Sequence, residues 1–127
     1  MWATFLRGDY DTAVFQAFRE VEIRVREASG FGLGDIGVDL MRRAFKPNEG
    51  SLAEKATEKG EQESLMHLFA GAIGSYKNPH SHRHVPIEPT DAVEMLILAS
   101  HLLGIVERRE LPPHQAPQST GGAASQG

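Results

Sequence analysis

Tyr10, Val14, Phe18, Val21, Val25 and Ala28 recur at steps of three and four, the period of a single helix face. The spacing predicts a helix over residues 10–28. Asp9 or Asp11 is placed to cap its first turn, because a short carboxylate accepts from the free amides there. Ser29-Gly30 ends it, with glycine supplying the left-handed conformation. Arg19, Glu20, Glu22, Arg24, Arg26 and Glu27 fill the remaining positions and read as a solvated face with weak neighbour pairs.

Phe31 to Gly37 holds three glycines and reads as a loop. Two helical turns follow over 38–45, with Leu40, Met41, Ala44 and Phe45 inward, and Lys46-Pro47-Asn48-Glu49-Gly50 stops them. Residues 51–62 are polar and can begin a helix that Gly60 weakens. The helical period returns over 61–76, carried by Leu65, Phe69, Ala72, Ile73 and Tyr76 with Met66 and Leu68 at its edges. Ala70, Gly71, Ala72 and Gly74 are small, which predicts close packing within the chain ahead of a contact between copies. Pro79 is expected to end this helix or turn the chain.

Val85-Pro86-Ile87 reads as extended. Pro89 suits a first helical position, with Asp91 in the first turn, so a last helix is predicted over 89–109. Its inner face is expected to carry Val93, Leu96, Ile97, Leu103 and Val106. Met95, Leu98, Ala99, Leu102 and Ile105 widen that face nearly all round, which predicts a central or interface helix. Residues 112–127 are proline, glycine, serine, alanine and glutamine without period and read as a disordered tail. Strand signals and repeats are nearly absent. The expectation is an all-α bundle of four to five helices over residues 1–111.

Composition narrows the function classes. The chain of 127 residues has no cysteine, which excludes disulfide scaffolds, thiolate metal sites and cysteine nucleophiles. The longest apolar run, Met95 to Ala99, is far short of the ~20 residues needed to cross a bilayer. No secretory pattern opens the chain, so a cytoplasmic protein is expected. The net charge of -4 argues against coating nucleic acid by bulk charge. It leaves room for a few local cations. Lys77, Arg83, His67, His80, His82 and His84 all fall between positions 67 and 84.

The segment Tyr76-Lys77-Asn78-Pro79-His80-Ser81-His82-Arg83-His84 is therefore the candidate site. Imidazole titrates near neutral pH and can move a proton, and a nearby cation can hold a phosphate and offset charge in a transition state. Those groups suffice to cleave RNA without a metal, provided that a second copy of the chain supplies the acid when the first supplies the base. Polar residues around a proline also form ordinary solvated turns. His80, His82 and His84 alternate, which would place three imidazoles on one side of an extended segment. No acidic residue completes a hydrolytic metal set there, so no metal or other cofactor is expected. Tyr76 can stack on a base or simply cap the helix stripe. Ser81 lacks the partners of a nucleophile.

The stretch Leu68-Phe69-Ala70-Gly71-Ala72-Ile73-Gly74-Ser75-Tyr76-Lys77-Asn78-Pro79-His80-Ser81-His82-Arg83 resembles the Ymh-type family of bacterial proteins. So do residues 18–26 before it and residues 88–103 after it. That family is grouped with the HEPN superfamily, and the resemblance covers about Asp9 to Glu110, the C-terminal module of longer members. It implies a helical bundle of four or five helices that dimerises. It also implies a metal-independent ribonuclease of toxin–antitoxin, phage-defence or RNA-processing systems. The superfamily signature is an arginine, a polar residue and a histidine four to six positions after the arginine. Lys77 matches the arginine, Asn78 the polar residue and His82 the histidine. Tyr76 and Arg83 are the residues expected to touch substrate. Lysine for arginine is a departure, because a point charge does not grip phosphate bidentately. The resemblance implies a homodimeric ribonuclease with an RNA substrate and an antitoxin or defence-system partner, and the departure at Lys77 implies reduced or lost activity. The alternative is a non-catalytic module of the same fold that binds RNA, a nucleotide or a protein.

Overall fold

The structure is a computed structural model and describes residues 2–110, except for the side chains of Ser81 and His82. The expected tail, residues 112–127, lies outside the described residues. Six helices follow in order: α1 (Trp2–Leu6), α2 (Tyr10–Ser29), α3 (Gly37–Ala44), α4 (Lys59–Ala72), α5 (Asn78–His82) and α6 (Pro89–Glu110). A π-helical segment, Ile73–Lys77, joins α4 to α5 without a break, so the described residues form five helical rods. No strand occurs among the described residues. The fold is an all-α bundle, as the apolar periods predict.

Helix α2 is its axis. It buries Ala13, Val14, Ala17, Phe18, Val21 and Val25, and packs most extensively against α6. It ends as the sequence predicts. Gly30 adopts φ 76° and donates to the Arg26 and Glu27 carbonyls, while the Phe31 amide returns to Arg26. Asp9 precedes the helix but makes no side-chain cap bond. On the other side, α3 packs against α4, and Phe45 stacks on Phe69 with ring centres 4.1 Å apart.

The stop after α3 is held by backbone geometry. A Cβ on Gly50 would sit 2.3 Å from the Ala44 carbonyl oxygen, so only glycine fits. Residues 51–58 make turns rather than a helix, and α4 starts at Lys59. Gln62, on the first turns of α4, is buried and fixes this loop. Its carbonyl accepts from the Asn48 amide at 2.7 Å, and its amide donates to the Asn48 side chain and the Thr57 carbonyl.

Two expectations are corrected by packing. The inner face of α6 is Ala92, Leu96, Ala99, Leu102, Ile105 and Val106, whereas Ile97 is 59% exposed and Val93 and Leu103 are half-buried. The apolar residues surround this helix so fully that periodicity alone did not fix which side faces α2. By length and composition α6 would also suffice to cross a membrane, yet here it is the principal partner of α2. The second correction concerns Glu22. It is buried, at 3% exposure, in the middle of the apolar stripe. Of the four small residues, Ala70, Ala72 and Gly74 (the last in the π segment) pack within the chain, whereas Gly71 is exposed with nothing near it. Ala70 and Ala72 are buried, and a Cβ on Gly74 would meet Val38 at 3.3 Å.

Candidate functional site

The π segment shapes the site. A regular α-helix would drive the Pro79 ring into the carbonyl four residues back, and proline has no N–H to donate. The helix widens instead, and the Asn78 amide bonds to the Ile73 carbonyl five positions earlier. Pro79 therefore does not end the helix. It enters α5 in its first turn, and the helix continues to His82. Arg83 then takes extended dihedrals of -162° and 162°, and the chain crosses to α6.

This segment presents two different faces. On one, the Lys77 ammonium lies 3.4 Å from Glu22 Oε1, with only 15% of the lysine side chain and 4% of the glutamate exposed. Glu22 Oε2 accepts from the Gly37 amide at 2.7 Å. Gly37 begins α3 with φ 65°, a conformation suited to glycine. One buried carboxylate thus ties three elements together: α2, the π segment and the start of α3. An unpaired carboxylate in that place would be costly, and both of its oxygens are matched here.

The other face borders an open groove of about 340 Å³ between the end of α5 and the start of α6. Tyr76, Pro79, His80 and Arg83 line it from one side, and Glu88, Asp91 and Met95 from the other. The Tyr76 ring is half-buried and packs on Phe18, with centres 5.3 Å apart. Arg83 is exposed. Burial pushes the His80 imidazole below the usual histidine range, and the nearby Asp11 carboxylate and backbone oppose that shift. His80 Nδ1 is sealed from solvent without a hydrogen-bond partner. The extended strap beyond it is held by His84, whose Nδ1 lies 2.5 Å from Asp11 Oδ2 on α2. A smaller recess of about 180 Å³, lined by Tyr10, Asp11 and His84, lies across this strap and shares Val85, Pro86 and Ile87 with the groove.

The sequence-predicted residues are therefore divided. Tyr76 and Arg83, assigned to substrate contact, share the groove. Lys77 is held at Glu22. Asn78 opens α5, and His82 closes that helix one turn later, its side chain lying outside the described set. His80 and His84 both lie beside Asp11, but among the described residues no three histidine or acidic groups converge to hold a metal ion. Glu22 is the residue that sequence reasoning missed, and His80 was named in the candidate segment without its place beside Asp11. The signal for Glu22 was present: Phe18, Val21, Glu22 and Val25 stand at i, i+3, i+4 and i+7, so the acid sits inside the apolar face.

No curated protein and no solved structure matches the chain. Residues 1–106 match the family described as protein of unknown function (Hypoth_ymh), a span that takes in the buried Glu22, the whole segment from Lys77 to His84 and most of α6. The chain belongs to the Ymh family.

Proposed function

We propose that the chain is a metal-independent endoribonuclease of the HEPN kind, acting in the cytoplasm as a homodimer, in a toxin–antitoxin or phage-defence setting. The observation that carries this reading is a cation and an imidazole five positions apart on one helix, with the cation oriented by a buried acid. Lys77, Asn78 and His82 form that sequence, and Glu22 is the acid. His82 takes the proton from a ribose 2′-hydroxyl, whose oxygen attacks the adjacent phosphorus. The bond to the 5′-oxygen breaks, and His82 of a second copy protonates the leaving oxygen. Lys77 offsets charge on the phosphorane, and Asn78 positions the strand. The products are a 2′,3′-cyclic phosphate and a 5′-hydroxyl.

One observation favours the second reading, a non-catalytic module that binds RNA, a nucleotide or a protein. The charge of Lys77 is already matched by Glu22 in a mostly buried pair. A cation so engaged has less to offer a phosphate than a free arginine.

Cleavage of end-labelled RNA in excess EDTA separates the two. The ribonuclease reading expects cleavage with cyclic phosphate ends that His82→Ala abolishes. Equal cleavage by His82→Ala would end the catalytic assignment. Lys77→Ala alone is a poor probe, because it strands a buried carboxylate. Lys77→Arg keeps the charge and is expected to raise the rate. No cleavage by a folded, dimeric parent, with saturable RNA binding, supports the binding module.

A further inference from the structure

We propose that the groove between the end of α5 and the start of α6 is a subsite for a guanine base. The ribonuclease reading supplies the strand that carries the base, but recognition of the base itself does not depend on cleavage.

The groove has a rigid side and a forgiving one. Tyr76 is fixed by its contact with Phe18 and offers an aromatic wall. Met95, half-buried on α6, is a deformable thioether that adapts to a flat ring. The volume of about 340 Å³ accommodates one base and adjoining solvent.

Its charge decides what the ring must be. Arg83 contributes one cation, while Glu88 and Asp91 contribute two carboxylates. Burial lowers the pKa of His80, which favours its neutral form, against the pull of Asp11. The groove is therefore net acidic and a poor place for a free phosphate. It suits a neutral ring with adjacent N–H donors on one edge and acceptors on another. Guanine has both. Its N1–H and N2–H donors lie side by side for a carboxylate, and its O6 and N7 acceptors match a guanidinium. Adenine and cytosine put a ring acceptor beside their amino group. Uracil has one N–H between two carbonyls. Each would leave a carboxylate facing a lone pair.

The test is titration of the full-length protein with 3′-GMP, 3′-AMP, 3′-CMP and 3′-UMP, read by calorimetry or NMR. The expected result is tighter binding of 3′-GMP by about tenfold, the range of one bidentate base contact. Glu88→Gln with Asp91→Asn preserves shape and removes charge, and is expected to bring the four ligands to parity. Equal binding of all four by the parent, binding of none, or a preference that survives the double substitution would overturn the proposal. Tighter binding of putrescine than of 3′-GMP would also overturn it, assigning the groove to a cationic ligand. His82→Ala is expected to retain the guanine preference. Guanine preference in a parent that cleaves no RNA would leave this inference standing and end the ribonuclease reading. Cleavage without base preference would do the reverse.

Discussion

The two faces of the segment from Tyr76 to His84 use similar residues for opposite ends. Lys77 and Arg83 are both cations within one short segment. The first is 15% exposed and spends its charge on a carboxylate that also anchors the start of α3. The second is exposed at the rim of a groove, beyond the last turn of α5. What separates them is the α2 surface beneath. An acid stands at the i+4 position of the α2 stripe, under Lys77, whereas Phe18 and Tyr76 pack together under the groove. A cation near a candidate histidine is thus not automatically available to a ligand. Its partner within the fold decides whether it holds the structure or receives a substrate.

The sharpest way to break this contrast is at Glu22. Glu22→Leu removes the carboxylate from Lys77 and leaves the Gly37 amide unpaired. The expected loss is about 3 kcal/mol of stability, read by urea or thermal unfolding, because one charge stays mostly buried without a partner. Glu22→Gln keeps an acceptor for Gly37 and is expected to lose less. Lys77→Met comes next, at about 2 kcal/mol, since Glu22 is then the stranded charge. The pair Glu22→Gln with Lys77→Met is expected to recover part of either loss, and strict additivity of the two would show that the ion pair does not couple them.

How much of this was legible beforehand follows from what each residue's environment depends on. The Tyr10–Ser29 helix and its glycine stop were readable because period and cap chemistry are local. So were the start of α6 at Pro89 and the all-helical class. The side of α6 that faces the core was not, because apolar residues nearly encircle it and the choice belongs to α2. Pro79 was misread because the rule for proline assumes a regular ladder, and a π turn removes the clash. Glu22 was assigned to solvent by its charge, although its spacing put it in the core. The candidate cluster was legible as a list of groups. Its division between two faces was not, since that depends on residues more than fifty positions away along the chain, Glu22 beneath Lys77 and Phe18 beneath Tyr76.

A smaller effect tests the groove side through pH. Burial lowers the His80 pKa below its unfolded value of 6.5, against the opposing pull of Asp11, with Arg83 and His84 adding to the lowering. The unfolded chain then binds the proton more readily than the folded one. The stability contributed by neutral His80 is complete above about pH 6.5 and is lost as pH falls toward the folded value. His80→Asn, which cannot titrate, is expected to flatten the stability profile of the parent in that window. An unchanged slope between pH 7 and pH 5.5 would show that another group controls it.

The smallest expected effect on stability belongs to Arg83, and it completes the contrast with Lys77. Arg83→Met is expected to leave the unfolding free energy within about 0.5 kcal/mol, because an exposed side chain past a helix end contributes little packing. Its effect is expected in ligand binding instead. If the exposed guanidinium meets a base or strand in the groove, affinity for RNA falls while the melting curve stays in place. A substantial fall in stability with RNA affinity unchanged would reverse the assignment of the two cations, making Arg83 the structural one.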